Sequence, residues 1–144
     1  MLKPLTLLTT VTTVTLLIGC SNGDQTMQDR STLPCANKPN CVSTQDSREK
    51  FSLAPYTLTP LATLDAIEIA ALSLGRAKTA EKQPNYLRVE YTSKVFRFVD
   101  DLELRIEGNQ LIVRSESRTG HSDFGVNRER ADALRRALKE AGLI

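Results

Sequence analysis

The stretch FRFVDDLELRIEGNQLIVRSES, residues 96–117, contains two alternating segments that meet at Gly108-Asn109. In the first segment the even-numbered positions are mostly apolar, which indicates a strand with one face on a core and one in water. Gly-Asn marks a tight turn. A two-residue turn would pair Glu107 with Gln110. Continuing this register places Leu104 opposite Val113, Leu102 opposite Ser115 and Asp100 opposite Ser117.

The segments on either side of this hairpin extend the prediction. YLRVEYT, residues 86–92, alternates in the same way and predicts a third strand. Thr59-Pro60 resembles a helix start and Gly75 a stop, so residues 60–74 are predicted as a helix. Residues 51–58 read as a short strand or an extended lead-in, and residues 76–84 as a loop or helix tail. An apolar stripe predicts a second helix over 127–141, capped by Asn127 and ended by Gly142.

This order of elements predicts an α+β fold. We expect a three-to-four-stranded antiparallel sheet with two helices packed on one face. The chain has 144 residues, 40% apolar and 25% charged, an ordinary globular composition. Its net charge is +2 with the two signs interspersed, which argues against nucleic-acid binding.

Asp100 departs from the pattern of its strand, because it occupies a position on the apolar face. The pairing places it beside Ser115 and Ser117, at the hairpin end away from the turn. A carboxylate among apolar side chains must be paired or neutralised. It therefore accepts structural hydrogen bonds, is rotated outward by a β-bulge, or belongs to a binding site.

The stretch RSESRTGHSDFGVNRER, residues 114–130, is the densest polar segment of the chain and contains its only histidine. Helix N-termini favour anions, and Arg118 and Arg128 could supply paired donors to a carboxylate or phosphate. Alternatively, these arginines pair with the nearby acidic residues. The candidate anion-binding or motif residues are Asp100, Arg114, Ser115, Ser117, Arg118, His121, Asp123, Asn127 and Arg128.

A catalytic role for the same segment is the next alternative. His121, Asp123 and several serines supply the residue types of a small hydrolase or transferase. No G-x-S-x-G nucleophile elbow is present, however. The sequence therefore favours a non-enzymatic role without deciding the matter, and it indicates no cofactor.

The first of the three cysteines, Cys20, ends a segment with the features of a secretion signal, and the other two, Cys35 and Cys41, lie beyond it. Residues 1–19 have the basic start and uncharged apolar stretch of a signal peptide. Their end, Leu17-Ile18-Gly19-Cys20, resembles the lipobox of bacterial lipoproteins, which implies cleavage before Cys20 and its acylation by fatty acids such as palmitate. Ser21 follows Cys20, where the absence of Asp resembles the pattern of lipoproteins that are sorted by default to the outer membrane. We expect residues 20–34 to form a flexible lipid-anchored tether, facing the periplasm, and residues 35–144 to form a single domain.

Cys35 and Cys41 then remain for a disulfide in an oxidising compartment. A metal site is the rival interpretation. Two cysteines and one distant histidine fall short of the four ligands of a structural zinc, so we expect no metal.

Three blocks of the chain resemble one known family. They are CANKPNCVSTQ, YLRVEYTSKVFRFVDDLELRI and VRSESRTGHSDFGVNRERADALR. These are similar to the C-P-x-x-P-N-C-V-S-S, F-x-D-D-V and R-S-x-S-R-x-G-x-x-D-x-G-x-N-R-x-R blocks of the domain-of-unknown-function family 1499. Ala36 stands where the family often has Pro, and Thr44 where Ser is usual. The resemblance implies that Asp101, Gly120 and Gly125 belong to the motif with most of the candidate residues above. It implies no activity.

The sequence leads to three functional hypotheses. The first is an envelope lipoprotein that acts as a binding or envelope-support module, with an anion-preferring pocket at the start of the second helix. The second is an enzyme using His121 and Asp123. The third is a purely structural interaction protein. The expected partners are the membrane, through the N-terminal lipid, and a small anionic ligand or an envelope protein.

Overall fold

The computed structural model describes residues 28–144. The expected signal peptide, Cys20 and residues 20–27 of the tether lie outside this range. The division into signal peptide, tether and domain therefore stays a prediction. Within the described residues, the buried side chains of the two apolar clusters run from Cys35 to Leu143.

The fold is α+β and is built on one six-stranded antiparallel sheet, which is larger than the predicted one. Its long strands are β3 (Ala77–Gln83), β4 (Tyr86–Thr92), β5 (Val99–Glu107) and β6 (Gln110–Ser117). Two short strands, β1 (Cys41–Ser43) and β2 (Tyr56–Thr57), both pair with β6. The predicted register of the β5–β6 hairpin is confirmed, from Glu107 opposite Gln110 to Asp100 opposite Ser117.

The prediction for residues 76–84 is wrong, because most of this segment forms β3. The strand pairs with β4 and forms the edge of the sheet. Its sequence, AKTAEKQ, is polar on both faces, and a Lys-rich polar strand is a common way to protect a sheet edge from further pairing. Period-two analysis finds half-buried strands and therefore overlooks such an edge.

The predicted strand at 96–107 begins too early. The strand starts at Val99, and Phe96 and Phe98 are 73% and 56% exposed rather than directed into the core. Arg97, between them, has a φ of 57°, a left-handed conformation that interrupts an extended strand.

Both helices are displaced from their predicted starts. Helix α1 (Leu64–Leu72) begins after Thr63, whose hydroxyl accepts a hydrogen bond from the Ala66 amide, so Thr63 and not Thr59 is the cap. Helix α2 (Val126–Glu140) begins after Gly125. Asn127 lies inside its first turn and is buried, so the prediction that Asn127 caps the helix is wrong.

Both helices pack into one apolar core with the same set of strand residues. The helices contribute Leu64, Ile67, Ala70, Ala71, Ala131, Leu134 and Leu138, and the long strands contribute Leu87, Val89, Leu102, Leu104, Leu111 and Val113. Two tyrosines tie the sheet to the helices: the Tyr91 hydroxyl donates to Ala71 O at 2.5 Å and the Tyr56 hydroxyl to Ala131 O at 2.8 Å. Within residues 28–144 no helix has the length and hydropathy needed to cross a membrane.

The opposite face of the sheet is charged and is covered by residues 28–34. Arg30 forms ion pairs with Glu116 at 2.7 Å and with Glu103 at 3.3 Å, and Asp29 pairs with Arg105. Burial raises the pKa of Glu103. Asp29 and Arg30 thus pair with charged groups of the sheet, which would otherwise be buried with fewer partners.

Candidate functional site

Several polar residues of the predicted motif meet at the junction between β6 and α2. A disulfide joins Cys35 to Cys41, as predicted, with the two Cα atoms 5.8 Å apart. The loop that it closes packs on residues 118–125. Asn40 Nδ2 donates to the carbonyls of Ser117 and Gly120, both at 3.2 Å, and the Asp123 amide donates to Pro39 O at 3.2 Å. These bonds fix the path of the chain from strand to helix.

Asn127 is at the centre of this junction and is completely buried. Its Nδ2 donates to Asn40 O at 3.0 Å, to Ser117 Oγ at 2.9 Å and to Asp123 Oδ2 at 2.7 Å. Its Oδ1 accepts bonds of 2.6 Å from Ser115 Oγ and from Arg130. Asn127 therefore joins the disulfide loop, the end of β6 and the first turn of α2.

Gly125 is the N-cap residue of α2, and the carboxylate of Asp123, two residues earlier, accepts hydrogen bonds from the helix start. Its Oδ1 accepts from the Gly125 amide at 3.0 Å, and its Oδ2 accepts from the Asn127 amide at 2.9 Å. The carboxylate thus satisfies one free amide of the first turn and lies at the positive end of the helix dipole. The same bonds occupy the helix terminus on which the anion-binding hypothesis partly rested.

Asp100 lies on the inner face beside Ser115 and Ser117, as the register predicted, and its partner is Arg130. The Arg130 guanidinium donates to Asp100 Oδ2 at 2.6 Å and to Ser115 Oγ at 3.1 Å. It also lies over the Tyr91 ring, 4.5 Å from the centroid. The sequence analysis missed Arg130, although Arg130 follows Asn127 by three positions and so lies on the same side of a helix.

Arg118 lies on the opposite face of the sheet from Asp100. Its guanidinium contacts Asp101 with two hydrogen bonds of 2.8 and 2.7 Å and also bonds to Glu90. The bonds to Asp101 raise the pKa of Arg118. Burial raises the pKa of Glu90, but hydrogen bonds from Arg118 and Lys78 outweigh burial and lower that pKa to about 2.

The remaining predicted residues are dispersed. Arg114 lies on the charged face, where it donates to Glu116 at 2.9 Å and to Leu33 O at 2.8 Å. Arg128 donates to the carbonyls of Ser52 and Lys50 at distances of 3.0 to 3.1 Å. His121 is exposed, and within residues 28–144 the hydrogen bonds to the Asp123 carboxylate all come from Gly125 and Asn127.

A groove beside this junction is lined by half of the large exposed apolar side chains of residues 28–144. We call it the aromatic groove; it has a volume of about 270 Å³ and lies between the β4–β5 connection and residues 117–126. Phe96, Phe98 and Phe124 are 73%, 56% and 95% exposed, and Val126 adjoins them. The Phe96 and Phe98 rings stack with their centroids 5.6 Å apart. The polar lining includes Asp100, Ser117 and Asp123.

The backbone is strained on both sides of the aromatic groove. Arg97 and Phe124, with φ of 57° and 55°, are the non-glycine residues of the described chain that have positive φ. A non-glycine residue in this conformation costs on the order of 1 kcal/mol and persists only where its surroundings impose it. The strain holds Phe96, Phe98 and Phe124 in solvent next to the family motif.

Sequence reasoning missed the aromatic groove because Phe96 and Phe98 fit the apolar period of β5.

A second cavity, of about 340 Å³, includes Lys50, Asp123 and Arg128 in its lining. Within residues 28–144 no cluster of three or more side chains is arranged to hold a metal ion.

A family model described as protein of unknown function, DUF1499, matches residues 32–138. The match covers Cys35 and Cys41, the β5–β6 hairpin and most of α2. It confirms the family resemblance. No curated protein and no solved structure is significantly similar to this chain.

Proposed function

We propose that this chain, which belongs to the DUF1499 family of proteins of unknown function, is an envelope lipoprotein that binds a small ligand in the aromatic groove. The observation that carries the proposal is the exposure of Phe96, Phe98 and Phe124 around one concavity. Exposed apolar groups that cluster, rather than lie singly, are typical of binding sites. An apolar pocket with a few polar groups is the usual form of a small-ligand site.

The family motif supports this groove without taking part in a reaction. The Asp123 carboxylate accepts hydrogen bonds from Gly125 and Asn127, and within residues 28–144 it accepts none from His121, so it lacks the geometry of a group acting with His121 as general acid or base. The two sides of the groove belong to separate loops, and the motif fixes one of them against the disulfide loop. We therefore favour binding over catalysis.

The anion-preferring pocket receives less support than the aromatic groove. Arg118 is paired with Asp101 and Glu90, and Arg128 donates to main-chain carbonyls. A bidentate donor that already holds a carboxylate is not available to a second anion. Ligand binding is therefore assigned to the groove rather than to the arginines.

The proposed location is the periplasmic side of the outer membrane, to which acylated Cys20 would anchor the protein. The support is the order of signal peptide, lipobox and Ser21 in the sequence. More than one acyl chain gives a stable attachment. Labelled palmitate should enter the wild-type protein and not the Cys20→Ala variant. Equal labelling of the two would refute the anchor, and separation of the membranes by density would identify which one carries the protein.

Ligand binding is tested by thermal shift on the fragment of residues 21–144, which includes both apolar clusters of the described residues. The panel comprises envelope metabolites of differing charge. A ligand at 100 times its Kd stabilises the fold by about 2.7 kcal/mol, a readily measured shift. We expect at least one compound to raise the Tm of the wild type and to lose most of that effect with Phe98→Ser.

The matched control is Leu61→Ser, since Leu61 is 74% exposed and lies away from the groove. This variant should keep the full ligand-induced shift. If no compound raises the Tm, or if Phe98→Ser responds as the wild type does, the groove is not a ligand site.

A further inference from the structure

The charged side chains that line the aromatic groove are both acidic. They are Asp100 and Asp123; the other polar lining residues are serines and a threonine. The nearby guanidinium of Arg118 lies on the far face of the sheet, bound to Asp101. Within the described chain the groove thus presents carboxylates and aromatic rings to a ligand, without a lysine, arginine or histidine in its lining.

Asp100 has one carboxylate oxygen committed and one available. Oδ2 accepts from Arg130 at 2.6 Å. Within residues 28–144 no hydrogen bond is donated to Oδ1, and Asp100, although only 8% exposed, is one of the residues that line the aromatic groove. A carboxylate oxygen in this position favours a donor or a positive charge on the ligand.

The aromatic rings favour the same kind of ligand. The face of an aromatic ring carries negative electrostatic potential, and an organic cation is attracted to it when it lies within about 6 Å of the centroid. Phe96 and Phe98 stack at 5.6 Å, and Phe124 lies in the same lining. Several phenylalanine rings beside a carboxylate are the arrangement that recognises substituted ammonium groups.

We infer that the aromatic groove binds a small organic ammonium ion, with its nitrogen near Asp100 Oδ1 and its apolar substituents on the three phenylalanine rings. This inference rests on the proposed function and names the ligand class of the same site. The volume of about 270 Å³ lies just below the usual range for small-molecule sites, about 300–1,000 Å³, so the ligand is small. Arg130 already neutralises part of the Asp100 charge, and the affinity is accordingly modest.

The test is an NMR titration of residues 21–144 with three benzyl or phenyl compounds of differing charge. They are benzyltrimethylammonium, neutral benzyl alcohol and anionic benzenesulfonate. We expect the cation to shift the amide signals of residues 96–98 and 117–126. Its Kd should be lower than those of the other two compounds by roughly tenfold or more, the size expected for a cation held against several rings.

The deciding variant is Phe96→Leu, which keeps an apolar side chain and removes a ring face. Because Phe96 is 73% exposed, the fold should be retained. The cation should bind roughly 3- to 10-fold more weakly to this variant, whereas Leu61→Ala should bind as the wild type does. Asp100→Asn tests the carboxylate, with its folding checked first because it removes the charge partner of Arg130.

The outcomes separate the two proposals. If the neutral or anionic compound binds in the groove as tightly as the cation, the groove remains a ligand site and the ammonium preference is wrong. If the cation gives no shifts at residues 96–98 and 117–126, the ammonium inference is refuted, and the thermal-shift panel decides independently whether the groove binds any ligand. Equal affinities of wild type and Phe96→Leu for the cation also contradict the inference.

Discussion

Asn127→Asp is the substitution that tests the polar junction most directly. It preserves the size and shape of the side chain but replaces the Nδ2 donor by an oxygen. The two N–H groups of Nδ2, which are shared among Asn40 O, Ser117 Oγ and Asp123 Oδ2, are lost. At about 1 kcal/mol net for each donor, this loss destabilises the fold by roughly 2 kcal/mol.

The introduced carboxylate also meets the Asp123 carboxylate, since the atoms now in contact are 2.7 Å apart. Arg130, whose guanidinium lies 2.6 Å from Asn127 Oδ1, offsets part of this repulsion. We expect a total loss of about 3–5 kcal/mol at pH 7, a large fraction of the roughly 5–15 kcal/mol that stabilises a typical domain.

The sign of the pH dependence follows from the same contact. Burial and the neighbouring Asp123 raise the pKa of the introduced carboxyl above its unfolded value of about 3.9. Its ionised form therefore weakens the fold above that raised pKa, and the weakening disappears as the pH falls towards the unfolded value. The protonated form also regains one donor. The stability that Asn127→Asp loses relative to the wild type should be clearly smaller at pH 4 than at pH 7.

Urea denaturation at both pH values measures these quantities. Asn109→Asp is the matched control, because Asn109 lies in the exposed turn between β5 and β6 and the change should cost less than about 0.5 kcal/mol. If Asn127→Asp is no less stable than Asn109→Asp at pH 7, or if its deficit does not depend on pH, the network around Asn127 does not hold the junction together as described.

Three further predictions concern other parts of the fold and are measured by the free energy of unfolding. Glu90→Gln should be less stable than the wild type by about 1–2 kcal/mol at pH 7, because Arg118 and Lys78 lower the pKa of Glu90 to about 2. This difference in stability should vanish as the pH falls from about 4.5 to 2. A difference that does not change with pH would contradict the prediction. Reduction of the Cys35–Cys41 disulfide should lower the free energy of unfolding by about 2 kcal/mol. A variant in which serine replaces Cys35 and Cys41 is the control, and the reductant should not change its stability. Gly125→Ala should lower the free energy of unfolding by about 1 kcal/mol, because Gly125 has a φ of 88° that alanine adopts only with strain. No atom lies within 4 Å of the added carbon, so steric contact does not contribute. An unchanged stability would mean that the loop relaxes.

The register of the hairpin was predictable to the residue because alternation and turn chemistry agreed. Leu102 and Leu104 fixed which face of β5 is buried, and Gly108-Asn109 fixed the register with β6. The strands that were missed lacked both signals. β3 is polar on both faces, and β1 has only three residues, whose strand character depends on pairing with residues 114–116 of β6. Local sequence does not contain that long-range pairing.

The polar site was predicted in composition but not in arrangement. Sequence alternation places Asp100 and Asp101 on opposite faces of the sheet, and the structure gives each of them an arginine, Arg130 and Arg118 respectively. One compact block of sequence therefore serves two faces. The prediction treated the block as one pocket because the crossing of the sheet edge by residues 118–125 is a tertiary feature that spacing alone does not reveal.

The structural pairing of the arginines leaves the phenylalanines as the part of this region that folding does not explain. Buried polar groups are costly unless they are bonded, so the hydrogen bonds that Asn127 makes with both ends of its side-chain amide are sufficiently explained by stability. No such account applies to Phe124, which is 95% exposed on a left-handed backbone and so gains little burial while costing conformational energy. Phe96 and Phe98, stacked around the left-handed Arg97, have the same combination. Exposed aromatic side chains next to strained backbone on both sides of one concavity are best explained by a ligand that covers them, and the carboxylate of Asp100 in the same lining then favours a positive charge on that ligand.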